Sequence, residues 1–343
     1  MRMVRFLSHT TLWGWAGRLA LGLLLWIATP GIAAAQHPAP PLYRFEYSQL
    51  HMGVQVRLVL YAPTESAAFE AARAAFSRVA ELDQVMSDYR STSELMRLCR
   101  RSGQGPVPVS ADLFAVLEQA QRLARLSDGA FDVTAGPCIR LWRRARRSGT
   151  LPSPDSLVEA RARTGWQQLR LDPATRTVHL TTPGMQLDLG GIAKGFAADE
   201  ALAVLQAHGI ASALVEMGGD LRLGKAPPGR DGWRVRLPNA PADRQEAMLA
   251  NVAVSSSGDT EQYIEVDGLR YSHIVDPRTC SGLTDRIAVT VIAPTAFLSD
   301  GLSTTLSILG PERGQTLLHE HFPEVRAFVR HGEDARGPRQ PDP

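Results

Sequence analysis

Apolar and polar residues alternate from 42 to 47 and again from 54 to 61, the period of two that turns one face of a strand inward, so both stretches are predicted as strands. Between 64 and 85 the period lengthens. An Ala-rich run with Phe69, Phe76 and Val79 on one stripe predicts a helix there. A second amphipathic helix is predicted over 110–126, with Ser110 as its N-cap and Gly129 soon after its end. Residues 87–109, rich in Ser, Gly and Pro, read as a connection. Short helices are predicted at 139–147 and 154–163, and from Trp166 onward the texture changes. Strands are predicted at 168–171, 177–181, 186–189, 213–216, 233–237, 250–255, 262–266 and 287–292, with helices at 192–208, 296–309 and 312–321. Strands and helices mix without strict alternation or a fixed repeat. That pattern predicts an α+β fold with mixed or antiparallel sheets flanked by helices.

The chain ends change this picture. Arg2, Arg5 and Arg18 precede the apolar run 19–28, then come Pro30 and Ala33-Ala34-Ala35 before Gln36. That order predicts a secretory signal peptide over 1–35. The apolar run is shorter than the roughly 20 residues that span a bilayer. No Cys lies beside the cleavage region to be lipidated, so a soluble, exported, periplasmic protein without stable membrane insertion is expected. Residues 331–343 are polar and Pro-rich and are predicted to be a disordered tail, which leaves 36–330 as the folded domain.

At 343 residues and 44% hydrophobic content, the chain can bury a sizeable core. Its 37 Lys and Arg nearly balance 35 Asp and Glu, so no uniform field favours nucleic acid as a partner. Arg140, Arg143, Arg144, Arg146 and Arg147 offer a possible anion patch, but a charge run on a helix is read here as a solvated face. Cys99, Cys138 and Cys280 are too few and too widely spaced for a zinc site or a disulfide framework. One disulfide plus one buried thiol suits an oxidising compartment, with the pairing left open.

Four constellations carry candidate chemistry. Asp188, Gly190, Gly191 and Lys194 stand where a strand turns into a helix, a place that exposes backbone N–H groups and the positive end of the helix dipole. A tight turn that needs Gly for backbone reasons is the simpler reading, since neither a Walker A loop nor a GxGxxG fingerprint is present. Met217-Gly218-Gly219-Asp220 reads as a hairpin turn near that first loop. Ser257-Gly258-Asp259 is followed by the segment 271–279, where Asp276-Pro277 opens a turn and Arg278 and Thr279 either bind a phosphate or brace the loop. Ser257, His273 and Asp276 are set aside as a hydrolase triad, because no Gly-x-Ser-x-Gly elbow surrounds any serine. Asp300 and Thr304, four apart on one helix face, offer two hard oxygens to Mg²⁺, beside the plainer reading of an Asp on the helix dipole.

Taken together, residues 188–198 (DLGGIAKGFAA), 216–221 (EMGGDL), 257–259 with 271–279 (SGD, YSHIVDPRT) and 300–304 (DGLST) resemble the ApbE family, whose activity is FAD:protein FMN transfer. Weaker echoes occur at 51–53, at 86–89 with 93–95, and at 129–137. The resemblance implies an ApbE-like α+β fold with FAD held between two halves of the domain. It places Met52, Tyr89, Ala130, Phe131, Asp132, Asp188, Lys194 and Ile274 around the nucleotide, and Asp300, Thr304 and the Gly191 carbonyl on Mg²⁺. Three departures stand out. Cys280 follows Thr279 where the family usually has Gly, Val54 replaces a Thr, and the lipoprotein cysteine of many relatives is absent.

The implied reaction is attack by a Thr or Ser hydroxyl of an acceptor flavoprotein subunit, carrying an Asp-Gly-x-Ser/Thr-Gly-Ala-Thr type segment, on the FMN-side phosphorus of FAD, with loss of AMP. His273 is the candidate to orient or deprotonate that hydroxyl, because an imidazole titrates near ambient pH, and Asp300 is the alternative base. Two other readings use the same pocket: a Mg²⁺-dependent FAD pyrophosphatase, in which water replaces the acceptor, and a non-catalytic flavin-binding accessory protein. Tyr89, an aromatic suited to stacking on a flat ring and limiting water, favours transfer.

Overall fold

The computed structural model describes residues 40–258 and 263–332. The expected signal peptide, Asp259 of the Ser257-Gly258-Asp259 motif and residues 333–343 of the expected tail lie outside them.

Seven strands form the main sheet: β1 (Tyr43–His51), β2 (Val54–Ala62), β3 (Ala213–Met217), β4 (Asp220–Leu223), β5 (Ala253–Gly258), β6 (Ile287–Ala293) and β7 (Arg326–His331). They lie side by side in chain order, each antiparallel to its neighbour. The helices are insertions between consecutive strands. They are α1 (Glu65–Met86), α2 (Glu94–Arg100), α3 (Ala111–Leu126), α4 (Gly136–Ser148), α5 (Pro154–Ala162), α6 (Ala193–Ala207) and α7 (Ala296–His321). The expected α+β class with antiparallel sheets and flanking helices is therefore observed.

Burial explains the layers. Val56, Leu58 and Leu60 of β2 point to one face of the sheet, as a period of two requires, and join Ala71, Ala75 and Val79 of α1, Ala197 and Ala201 of α6, and Leu302 and Leu306 of α7 in one core. The small side chains of α1 and α6 let those helices approach closely. On the opposite face Val59 joins Leu214, Val254 and Ile292 beneath Trp233 and Val235, which belong to a hairpin of Trp233–Arg236 and Glu246–Leu249. Both faces are thus covered, and every residue of β6 is buried. No helix among the described residues is long and apolar enough to cross a membrane.

Several sequence expectations need correction. Phe69 is 56% exposed and rests edge-on against Tyr47, so the buried stripe of α1 runs through Ala68, Ala72, Phe76 and Val79 instead. The stretch 87–109 contains α2, capped by Ser93, whose Oγ accepts the Met96 N–H at 3.1 Å. Residues 186–189 are not a strand. Gln186 makes one isolated bridge to Ala135, and the Asp188 N–H goes to the Val133 carbonyl at 2.8 Å. The strand expected at 250–255 begins at Ala253, after Asn251 has turned the chain at φ 56°. Residues 326–331, given no element by their pattern, form edge strand β7, whose His331 pairs with Ile287. Gly310, at φ 75°, breaks α7 between the two helices expected there.

The open question of disulfide pairing is answered by Cys138–Cys280, with Cα atoms 5.3 Å apart; Cys99 is a buried thiol. The bond lies in a small separate core with Trp142, Ala145 and Val275, and so ties α4 to the loop after His273.

Candidate active site

The centre of the site is the turn into α6. Asp188 Oδ1 accepts the Gly190 N–H at 2.9 Å, and the Leu189 carbonyl accepts from Ile192 and Ala193, which starts the helix. A Cβ on Gly195 would stand 2.1 Å from the Ala296 carbonyl oxygen, so only Gly lets α6 meet the start of α7 so closely. The Gly195 N–H then reaches Asp300 Oδ2 at 3.0 Å. Gly191 abuts Thr304, where a Cβ would lie 2.9 Å from Oγ1.

Lys194, at the start of α6, extends its Nζ to 2.7 Å from Asp220 Oδ2 and 3.1 Å from Asp300 Oδ1. Asp220 is delivered by the Gly218-Gly219 turn, whose φ values of 57° and 96° allow a two-residue hairpin between β3 and β4. Burial pushes the Asp300 carboxyl up to about 6, against the pull of Lys194. Burial also opposes the Lys194 charge, but the carboxylates of Asp220 and Asp300 outweigh it and hold the ammonium above its ordinary value.

A second group forms the adjoining wall. Arg143 of α4 donates from Nη2 to Asp188 Oδ2 at 2.6 Å and from Nη1 to Asp88, with its guanidinium 4.8 Å from the Tyr89 ring centroid. Burial raises the Asp188 carboxyl, and Arg143 pulls it only part of the way back. The Arg cluster is therefore not simply a solvated face: Arg144 and Arg147 are exposed, while Arg143 and Arg146 border the site. Ala130, Phe131 and Asp132 come from the loop before α4. There Asp132 Oδ1 accepts from the N–H and hydroxyl of Thr134, and burial pushes its carboxyl up to about 6.

The third wall is the loop 272–282. Ser272 Oγ accepts the Ile274 N–H, and Asp276 pairs with Arg278 at 2.7 Å, so Arg278 braces the loop. Cys280 adopts φ 60°, the left-handed conformation that favours Gly, and its carbonyl accepts the Trp142 indole N–H at 2.8 Å. His273 is half-buried and Ile274 buried.

These walls enclose one cavity of about 1310 Å³. Met52 and Tyr89 border it on one side, and Ala130, Phe131, Asp132 and Asp188 at the α4 wall. Gly191, Lys194, Asp300 and Thr304 lie at the α6–α7 junction, with His273 and Ile274 on the loop. Every residue that the resemblance gave a role thus faces the same space, whereas Asp276, Arg278 and Thr279 of the segment 271–279 do not border it. Tyr89 does not close it: the side chain is 74% exposed, one ring face toward Arg143. Asp220 and Asp88 lay within motifs but were given no role, and Arg143 was read with its neighbours as a solvated face; nothing local marks an Arg whose partners lie 45 and 55 residues away. Among the described residues no three His, Cys, Asp or Glu side chains gather where they could hold a metal ion.

Comparison with known proteins agrees with this arrangement. Residues 52–329 match the ApbE family. A FAD:protein FMN transferase of Treponema pallidum (strain Nichols) is 36% identical over 304 residues, covering 82% of this chain and 84% of the relative. One from Vibrio cholerae (serotype O1, strain ATCC 39541 / Classical Ogawa 395 / O395) is 36% identical over 259 residues, covering 73% and 76%. Among solved structures, the flavin transferase ApbE from Vibrio cholerae superposes with TM-score 0.72 at 29% identity, covering 86% of this chain and 99% of that one. The apo flavinyl transferase ApbE of Pseudomonas stutzeri superposes with TM-score 0.73 at 30% identity, covering 87% and 94%. On sequence, fold and the convergence of its motifs on one cavity, the chain belongs to the ApbE family.

Proposed function

We propose that this protein transfers the FMN half of FAD to a Ser or Thr hydroxyl of an exported or membrane redox protein, releasing AMP. The observation that carries the reading is the cavity that Lys194 and Asp300 line together with Asp132, Asp188 and Tyr89. At about 1310 Å³ it exceeds the roughly 300–1,000 Å³ of ordinary small-ligand pockets, as a dinucleotide needs. Met52, Tyr89, Ala130, Phe131, Asp132, Asp188 and Ile274 border the nucleotide in this reading, with Lys194 toward the phosphates. His273 accepts the proton of the incoming hydroxyl as its oxygen bonds to the FMN-side phosphorus. The bond from that phosphorus to the AMP oxygen breaks, and AMP leaves.

The donor set at the α6–α7 junction suits Mg²⁺. Asp300, Thr304 and the Gly191 carbonyl are hard oxygens, and the backbone of Gly191 lies against the Thr304 hydroxyl in a space that any side chain would fill. When bound, the cation neutralises charge on the phosphate oxygens. Export to the periplasm belongs to the same reading and is supported by the Cys138–Cys280 disulfide, a bond that persists in oxidising compartments.

Intact mass spectrometry of an acceptor domain incubated with the protein, FAD and Mg²⁺ tests the proposal. The expected result is an acceptor heavier by one FMN with AMP in solution, abolished by EDTA and reduced at least about a hundredfold in His273→Ala. The exposure of Tyr89 gives one alternative a physical basis, because it leaves water access to the cavity. Free FMN and AMP with an unmodified acceptor would establish hydrolysis instead, and FAD recovered intact would establish a carrier.

A further inference from the structure

Asp220 has no part in the roles assigned above, yet it makes the shortest contact to Lys194. The ammonium lies 2.7 Å from Asp220 Oδ2, against 3.1 and 3.3 Å from the two oxygens of Asp300. Both acids are nearly sealed from water, at 4% and 3% exposure. Their other bonds differ. Asp300 also accepts the Gly195 N–H, whereas Lys194 is the only group among the described residues that hydrogen-bonds the Asp220 carboxylate. Asp220 is also fixed in place. The turn before it is pinned to β2 by the Gly218 N–H, which reaches the Gln55 carbonyl at 3.2 Å, and a Cβ on Gly218 would stand 2.9 Å from Val54 Cγ1.

Two carboxylates around one ammonium leave one negative charge in a buried place. Without Asp220, Lys194 and Asp300 would form a neutral pair, and a cation binding Asp300 would have to strip the ammonium of its only counter-ion. Leaving a buried charge unpaired is the most unfavourable event such a site can undergo. With Asp220 present, the ammonium keeps a partner when Asp300 turns to a cation.

We infer that Asp220 is a positioning residue that anchors the Lys194 ammonium, so that Asp300 stays available to a divalent cation entering between Gly191 and Thr304. This rests on the Mg²⁺ reading of that site. Asp220 acts through Lys194 and does not itself touch the cation.

The test is Mn²⁺ binding to the full chain, read by electron paramagnetic resonance without turnover, with melting curves to verify that each variant is folded. Asp220→Asn is expected to weaken Mn²⁺ binding at least about tenfold, and Asp220→Glu to hold it within about threefold of wild type. In a Lys194→Gln background, adding Asp220→Asn is expected to change affinity less than about threefold, because the group it anchors is gone. Equal weakening by Asp220→Asn in both backgrounds would mean that Asp220 acts by its own charge and would overturn the inference. Unchanged affinity in Asp220→Asn alone would overturn it as well, whatever the stability of the Lys194 variant. A wild-type chain that binds FAD but no Mn²⁺ would instead remove the metal reading on which the inference rests.

Discussion

Arg143 on α4 meets Asp188 in the turn before α6 at 2.6 Å, and through that contact two segments 45 residues apart become one wall of the cavity. The same guanidinium holds Asp88. Replacing Arg143 with Met is expected to destabilise the fold by about 3 kcal/mol, because Asp188, its side chain 5% exposed, would keep a buried charge without a counter-ion. Arg143→Lys recovers only part of the loss, since a single ammonium lacks the fork that spans two carboxylates. Guanidinium unfolding curves check this. A loss below about 0.5 kcal/mol in Arg143→Met would remove the latch role.

Asp132 predicts a pH dependence. Burial raises its carboxyl from 3.8 to about 6 in the folded chain. Between those values the native state holds a proton that the unfolded chain has released, so stability from this group falls as pH rises from about 4 to about 6 and is flat above. The full effect is on the order of 3 kcal/mol. Asp132→Asn removes it while keeping an acceptor for Thr134. The variant should therefore match wild type near pH 4 and exceed it near pH 7 in chemical unfolding, and parallel profiles would contradict this account.

At position 280 two effects separate. In a Cys138→Ser background, Cys280→Ser loses the disulfide and retains a side chain at φ 60°, whereas Cys280→Gly loses the bond and suits that backbone. Each double variant is expected to lie about 2–4 kcal/mol below the oxidised wild type, with the Gly form about 1 kcal/mol above the Ser form. Equal unfolding midpoints for the two would show that the loop relaxes once the bond is gone.

The two glycines of the α6 turn should respond differently to Ala. In Gly195→Ala the new methyl meets a backbone carbonyl at 2.1 Å, which cannot move without separating α6 from α7, so a loss of at least about 3 kcal/mol is expected. In Gly191→Ala it meets the Thr304 side chain at 2.9 Å, which can rotate away. That variant should melt near wild type while losing flavin transfer. Thermal melts and the mass assay together distinguish the two outcomes.

What was legible in the chain was mostly local. The cap of α3, with Ser110 accepting from Leu113, lies within three residues of its partner, and α1 and α3 both fall where the pattern puts them. Gln186 to Leu189 reads as a strand because its apolar residues alternate, yet its backbone bonds go to the loop before α4, and no pattern within four residues reveals that. β7 was invisible for the opposite reason: an edge strand carries charges, and Arg326, Arg330 and His331 hide its alternation. At the site, the residues given roles by the resemblance face the cavity, whereas Arg143 looked like its four neighbouring arginines. Only its distant acidic partners distinguish it.

The Cys138–Cys280 bond closes a covalent ring whose ends are 142 positions apart, and α6, β3, β4 and β5 all lie within that ring. A protease that cuts once inside it, as in the exposed stretch 228–231, therefore cannot release either piece. Such a nicked molecule would migrate at full length until reduced and then separate into two fragments. Backbone cleavage in that stretch and loss of the cavity thereby become separate events.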